Sequence, residues 1–152
     1  MNEPRAIRNN NPLNLRKTAD RWEGLVDNDK ERAFCVFDTM AHGFRAAFKT
    51  LDAYYHKHNL RTLHAIIWRW APPAENRTCN YCHSVQQFML PVDGWRCFTS
   101  NGQYLPAPAD NATIWQNLAL AMCRVECGSD AFARHQDELQ QAATKGYRMA
   151  FG

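Results

Sequence analysis

The sequence predicts a mainly α fold, α+β in class, with a small N-terminal β element. From Phe44 onward apolar residues recur at helical spacing, whereas residues 1–40 lack that period and are rich in amides and charged turns. With 152 residues, the chain can bury one hydrophobic core without staples and gives no sign of a second. A single domain over 1–152 follows, divided into a polar loop and β element (1–40), a helical core (41–128) and a peripheral C-terminal helix (129–152).

The N-terminal part opens on Asn9-Asn10-Asn11-Pro12-Leu13-Asn14-Leu15-Arg16. Short amides and a proline favour a polar loop over a helix or a core. An extended segment at Leu13 to Arg16, the acidic turn Asp27-Asn28-Asp29 and the run Ala33-Phe34-Cys35-Val36-Phe37 predict a small hairpin or sheet. The first long helix carries Phe44, Phe48, Leu51 and Tyr55 on one face. Thr62 is the N-cap expected for a second, bearing Leu63, Ile66, Ile67 and Trp70 and stopped by Pro72-Pro73. A third opens near Asn76 or Thr78, shows Tyr81, Val85 and Phe88, and ends before Pro91. Gly94, Gly102, Pro106 and Pro108 make 91–109 a long irregular connection. Asp110 or Asn111 caps the fourth helix, with Ile114, Leu118, Ala121 and Val125 as its stripe and Gly128 as its C′ residue. The stretch from Ser129 to Thr144 is more polar, and a peripheral helix is expected there.

Composition excludes several classes. The net charge is +3 and the basic residues are dispersed, so the nucleic-acid footprint is weak and no nucleic-acid partner is expected, although a polyanionic surface such as a cell wall is compatible. Nothing near the roughly 18 apolar residues of a membrane span occurs, and the Met1 to Arg5 start has no apolar signal core. Synthesis in the cytoplasm without a signal peptide of its own is the expectation. The six cysteines are expected as reduced thiols in that compartment, with pairing open in an oxidising one.

Glu126 is the carboxylate to single out. It falls in the last turn of the fourth helix, where the macrodipole and any desolvation both disfavour its ionised form. A raised pKa suits a general acid, whereas a solvated glutamate beside Arg124 is the plain alternative. The connection from Trp68 through Trp70, Pro72-Pro73, Glu75 and Asn76 to Tyr81 sets aromatics beside amides, as a sugar platform needs; a helix connection with core tryptophans and a capping Asn76 explains the same residues. Asn10, Asn11 and Asn14 offer donors and acceptors for hydroxyl and acetamido groups, or simply build turns. Cys79-x-x-Cys82-His83 formally matches a haem-attachment pattern, could contribute with Cys97 to a zinc site, or supplies small packed thiols, the favoured reading. Cys35, Cys79 or Cys127 with a histidine could form a thiol hydrolase, yet none has a local signature.

Taken in order, Arg5-x-x-Arg8-Asn9-Asn10-Asn11-Pro12-Leu13-Asn14-Leu15-Arg16, Trp22-x-Gly24, Phe34-x-x-Phe37, Gly43-x-Arg45-Ala46, Trp70-Ala71-Pro72-Pro73-x-Glu75-Asn76-x-Thr78-x-x-Tyr81 and Ala121-Met122-x-x-Val125-Glu126-x-Gly128 resemble a family of phage and prophage peptidoglycan lysins, often labelled virion structural proteins. The resemblance covers roughly residues 5 to 128 and implies a fold similar to lysozymes and lytic transglycosylases. The acid-bearing helix follows the Asn-rich loop instead of preceding it, which implies a circular permutation that brings Glu126 beside residues 9–14. Further implications are cleavage of glycan strands between amino sugars, by the transglycosylase or muramidase route, with Glu126 and Tyr81 catalytic. Asn10, Asn11, Asn14, Arg16, Trp70, Glu75 and Asn76 would bind substrate. No cofactor or metal is implied. The partner would be peptidoglycan, reached by a monomer through virion or secretion machinery and met in the periplasm, in the wall or from the virion. A peptidoglycan endopeptidase and a non-catalytic wall-binding virion protein are the competing readings.

Overall fold

The computed structural model describes residues 3–28, 30–73, 77–98 and 103–152, with backbone alone for 97 and 98. The fold is mainly helical, with seven α-helices among the described residues. They are α1 (Arg5–Arg8), α2 (Met40–Lys57), α3 (Leu63–Trp70), α4 (Thr78–Met89), α5 (Ala112–Cys127), α6 (Ser129–Arg134) and α7 (Gln136–Phe151).

Local chemistry explains the helix boundaries. Thr39, Thr62 and Asn111 each accept a hydrogen bond from the backbone N–H three residues on, at 3.1, 3.2 and 3.0 Å, and so start α2, α3 and α5. Gly128 ends α5 at φ +90°, a conformation a side chain would strain. Across the gap after α3, the Thr78 hydroxyl donates to the Ala71 carbonyl at 2.6 Å, fastening the start of α4 to the end of α3.

The centre of the molecule is α5. Ile114, Trp115 and the unbroken run from Leu118 to Cys123 are buried, so α5 is covered on more than the expected single stripe, while Val125 of that stripe is only half-buried. A cluster of buried apolar residues draws on all seven helices. The irregular connection is held to this core. Tyr55, Trp115 and Tyr147 donate to the carbonyls of Leu105, Pro106 and Pro108 at 2.8, 2.9 and 2.7 Å.

Three expectations need correction. The β element is reduced to isolated antiparallel bridges, Arg16 with Phe34 and Leu25 with Phe37, with no strand among the described residues. Segment 33–37 still covers a small second core of Cys35, Phe37 and Ala46, supported by Leu15 and Trp22. The N-terminal part also contains a helix: α1 precedes the polar loop, and the N–H groups of Asn9, Asn10 and Asn11 satisfy its last carbonyls.

The C-terminal stretch is not peripheral. It forms α6 and α7, and α7 buries Leu139, Ala143, Gly146, Tyr147 and Ala150, largely against α2. Tyr147 meets Phe48 edge-on at 5.3 Å. Its mean polarity hid a narrow apolar stripe, which is all that a helix packed on one side requires.

Gly146 sets how closely α2 and α7 approach. A Cβ there would lie 2.6 Å from Phe44 Cβ and 2.8 Å from the Ala41 carbonyl oxygen, so the helices would have to separate. Alanine is the better helix former by about 1 kcal/mol, yet overpacking costs about 1–3 kcal/mol. Gly146→Ala is therefore expected to destabilise the fold on balance, read as a lower urea midpoint with an unchanged slope.

Candidate functional site

Glu126 stands in the last turn of α5, half-buried, with both carboxylate oxygens engaged. The Tyr81 hydroxyl, from α4, donates to one at 2.8 Å, and Asn14 Nδ2, from the N-terminal loop, donates to the other at 2.9 Å. Asn14 and Glu126 are 112 positions apart, so this contact belongs to the tertiary fold.

Burial pushes the Glu126 carboxyl above the ordinary glutamate range, and the two hydrogen bonds oppose that shift because they favour the charged form. Burial also holds the Tyr81 hydroxyl well above its usual range, with the Glu126 charge acting in the same direction, so Tyr81 remains a neutral donor. The other face of the Asn14 amide is unusual. Its Oδ1 is buried and has no hydrogen-bond partner, an orphaned acceptor beside an acid.

Around this acid lies a cavity of about 240 Å³, lined by Arg5, Leu13, Asn14, Arg16, Phe34, Trp70, Ala71 and Glu126. Asn14, Arg16 and Trp70 also line the next hollow, of about 260 Å³, which continues over Trp22, Thr50 and Tyr54. That hollow in turn shares Asp20, Trp22, Thr50 and Tyr54 with a third, of about 520 Å³, ending among Asp52, His56 and His58. The shared walls make one elongated groove with Glu126 near one end. Trp70 and Tyr54 meet edge to face on its flank at 5.7 Å between ring centroids.

Of the residues singled out in the sequence, the structure brings Glu126, Tyr81, Asn14, Arg16 and Trp70 together. Tyr81 is nearly buried and spends its hydroxyl on Glu126, so it positions the acid and does not face a substrate.

Asn10 and Asn11 do not line the cleft. Asn10 adopts φ +50° and donates to the Phe37 and Asp38 carbonyls. Asn11 is wholly buried; its Nδ2 donates to the Leu15 and Cys35 carbonyls and its Oδ1 accepts from the Leu15 N–H. Asparagine is chosen in this loop for amide bonding to backbone and, at Asn10 and Asn14 (φ +52°), for its tolerance of left-handed conformation. Glu75 and Asn76 lie outside the described residues.

Sequence reasoning gave no site role to Arg5, Phe34, Trp22 or Tyr54. Arg5 and Phe34 come from segments that only the fold brings together, and Trp22 was legible solely as part of a Trp-x-Gly pattern.

Cys127, at the end of α5, has its thiol pKa lowered chiefly by a hydrogen bond with Cys123 one turn earlier, and no histidine is hydrogen-bonded to it among the described residues. Cys35 is buried in the small core, and desolvation raises its thiol pKa, the opposite of an activated nucleophile. Cys79 is exposed, Cys82 is half-buried with its pKa raised by desolvation, and no three metal-ligating side chains gather among the described residues. The Cys97 side chain lies outside the description.

No family model matches the chain. The chain is similar to Protein P5 of Pseudoalteromonas phage PM2, 43% identical over 84 residues that make up 53% of this chain and 52% of that protein. The matched region spans about half the length of the relative. This finding corrects the resemblance to phage and prophage lysins, because the name Protein P5 does not indicate a lysin family. Among the described residues no helix is long and apolar enough to cross a membrane.

Two linked outcomes are expected of Glu126. By carboxyl-carbon NMR it titrates above ordinary glutamates, and Tyr81→Phe, which removes a bond favouring the carboxylate, moves that midpoint further up. A folded-state pKa above the unfolded one means that the native state binds more protons in the window between them. Stability is fullest below that window and declines as pH rises through it. Glu126→Gln lacks this liability, so it should melt above wild type at neutral pH, with the gap closing as the solution is acidified below the glutamate range.

Proposed function

We propose that the protein cleaves the glycan strands of peptidoglycan, between amino sugars, with Glu126 as general acid and then general base. The observation that carries this reading is a half-buried carboxyl, raised in pKa, oriented by a neutral tyrosine and an asparagine at one end of an elongated, aromatic-flanked groove. A polymer of sugar rings matches an extended groove with Trp70, Tyr54 and Trp22 along it, since indole and phenol faces stack on the apolar faces of pyranoses.

Protonated Glu126 would hand its proton to the glycosidic oxygen while the bond to the anomeric carbon breaks. The resulting carboxylate, still held by Tyr81 and Asn14, would then take a proton from the attacking group. Among the described residues Glu126 is the only carboxylate lining its pocket, and Asp20 belongs to the adjoining hollow. That arrangement favours attack by the muramoyl hydroxyl of the substrate, or by water, over a second carboxylate acting as nucleophile across the ring.

The contact between Asn14 and Glu126 also supports a lysozyme-like arrangement with permuted order, in which a late helix brings the acid to an early loop. The similarity to a phage protein supports action from a virion or during infection, on the wall or in the periplasm.

Digestion of purified sacculi followed by mass spectrometry tests the proposal. Anhydro sugars are expected if the muramoyl hydroxyl attacks and reducing sugars if water does. New amino and carboxyl ends on stem peptides, without sugar products, would instead identify an endopeptidase. Glu126→Gln is expected to lower the rate by about 10²–10⁴-fold, the usual worth of a general acid, while sedimentation with sacculi is retained. Undiminished activity in that variant would remove Glu126 from the mechanism, and a wild type that sediments without cutting would be a binding protein.

A further inference from the structure

Resting on the glycan-cleaving reading, the geometry points to a carboxylate-binding subsite beside Glu126, formed by Arg5, Phe34 and Arg16, through which the cleft takes glycan bearing acidic stem peptides in preference to bare sugar. The guanidinium carbons of Arg5 and Arg16 lie 4.2 and 4.8 Å from the centroid of the same Phe34 ring. All three side chains line the cavity that contains Glu126.

Neither arginine has a carboxylate partner among the described residues. The Glu126 oxygens accept from Tyr81 and Asn14, and neither is within ion-pair distance of these arginines. Two cations converging on one ring repel each other, and an anion between or across them relieves that repulsion.

Stacking on Phe34 limits how the guanidinium groups move and leaves their N–H forks free for an oxyanion, the geometry that arginine offers and lysine does not. Their anchors are fixed by the fold, since Arg5 begins α1 and Arg16 is bridged to Phe34.

On the glycan-cleaving reading, the part of the substrate that presents a carboxylate beside an amino-sugar bond is a muramoyl unit with its stem peptide. A naked amino-sugar polymer lacks that anion.

The test is binding to full-length Glu126→Gln protein, so that turnover does not consume the probe, measured by calorimetry. Three probes are used: the disaccharide carrying a tripeptide with free carboxylates, the same compound with those carboxylates amidated, and an N-acetylglucosamine dimer, which has neither peptide nor carboxylate. The acidic form is expected to bind at least tenfold tighter than the amidated one. That gap should shrink in high salt and disappear when Arg5→Gln and Arg16→Gln are added.

Equal affinity for acidic and amidated forms overturns the subsite without any change to the arginines, as does a preference that survives their replacement. Tighter binding of inorganic phosphate than of the acidic tripeptide form would also overturn it, assigning the site to phosphate. Because binding is read without cleavage, these outcomes are separate from the sacculus digest: sugar products with no carboxylate preference refute the subsite alone, and a digest without sugar products refutes the glycan-cleaving reading.

Discussion

The buried amide of Asn11 is the interaction on which the cleft depends. With no exposed surface, it donates to two carbonyls and accepts one N–H, tying the early loop to the segment around Cys35. A buried primary amide satisfied in this way costs little, whereas the same group left unpaired would cost about 1–3 kcal/mol. On the opposite side the loop rests directly on α2, where a Cβ at Gly43 would lie 2.1 Å from the Asn10 carbonyl oxygen. Held from both sides, the chain has one route past Leu13, and the left-handed turn at Asn14 takes its amide to Glu126.

The acid itself is a compromise between burial and partnership. α5 passes through the core and surfaces at its last turn, so Glu126 is desolvated without being sealed. Two hydrogen bonds offset part of that cost, and the net upward shift that remains is in the direction the proposed proton donation needs. Tyr81 serves this balance from within the core. Its own ionisation is suppressed by burial, so it orients the carboxyl without competing for the proton. On the proposed reading, the site gives up stability in return for chemistry, as functional sites commonly do.

The groove extends the acid's reach. Its apolar flanks come from three separate regions, Trp22 from the early segment, Tyr54 from α2 and Trp70 from α3, so its shape depends on their mutual packing. Arg5 and Arg16, both over the Phe34 ring, add positive charge at the end where the acid sits. A ligand that is apolar in its ring faces, polar at its edges and anionic in its substituents would satisfy every part of this surface.

Periodicity made α2 and α4 legible in the sequence, and periodicity with capping made α3 and α5 legible, because side chains within one turn decide them: Thr62 and Asn111 find donors three residues away whatever the rest of the chain does. The chemical candidacy of Glu126 was legible for the same local reason, its place at a helix end before Gly128. What the early asparagines do was not. All look alike in sequence, yet Asn11 is consumed by backbone groups, Asn10 by a neighbouring turn, and only Asn14 reaches the acid. The packing of α7 on α2, the loss of the expected strands and the pairing of Arg5 with Arg16 on Phe34 likewise depend on surfaces contributed from far along the chain. Local spacing determined which segments are helical and which carboxyl is worth notice. Only long-range packing decided which polar groups are left unspent to face a ligand.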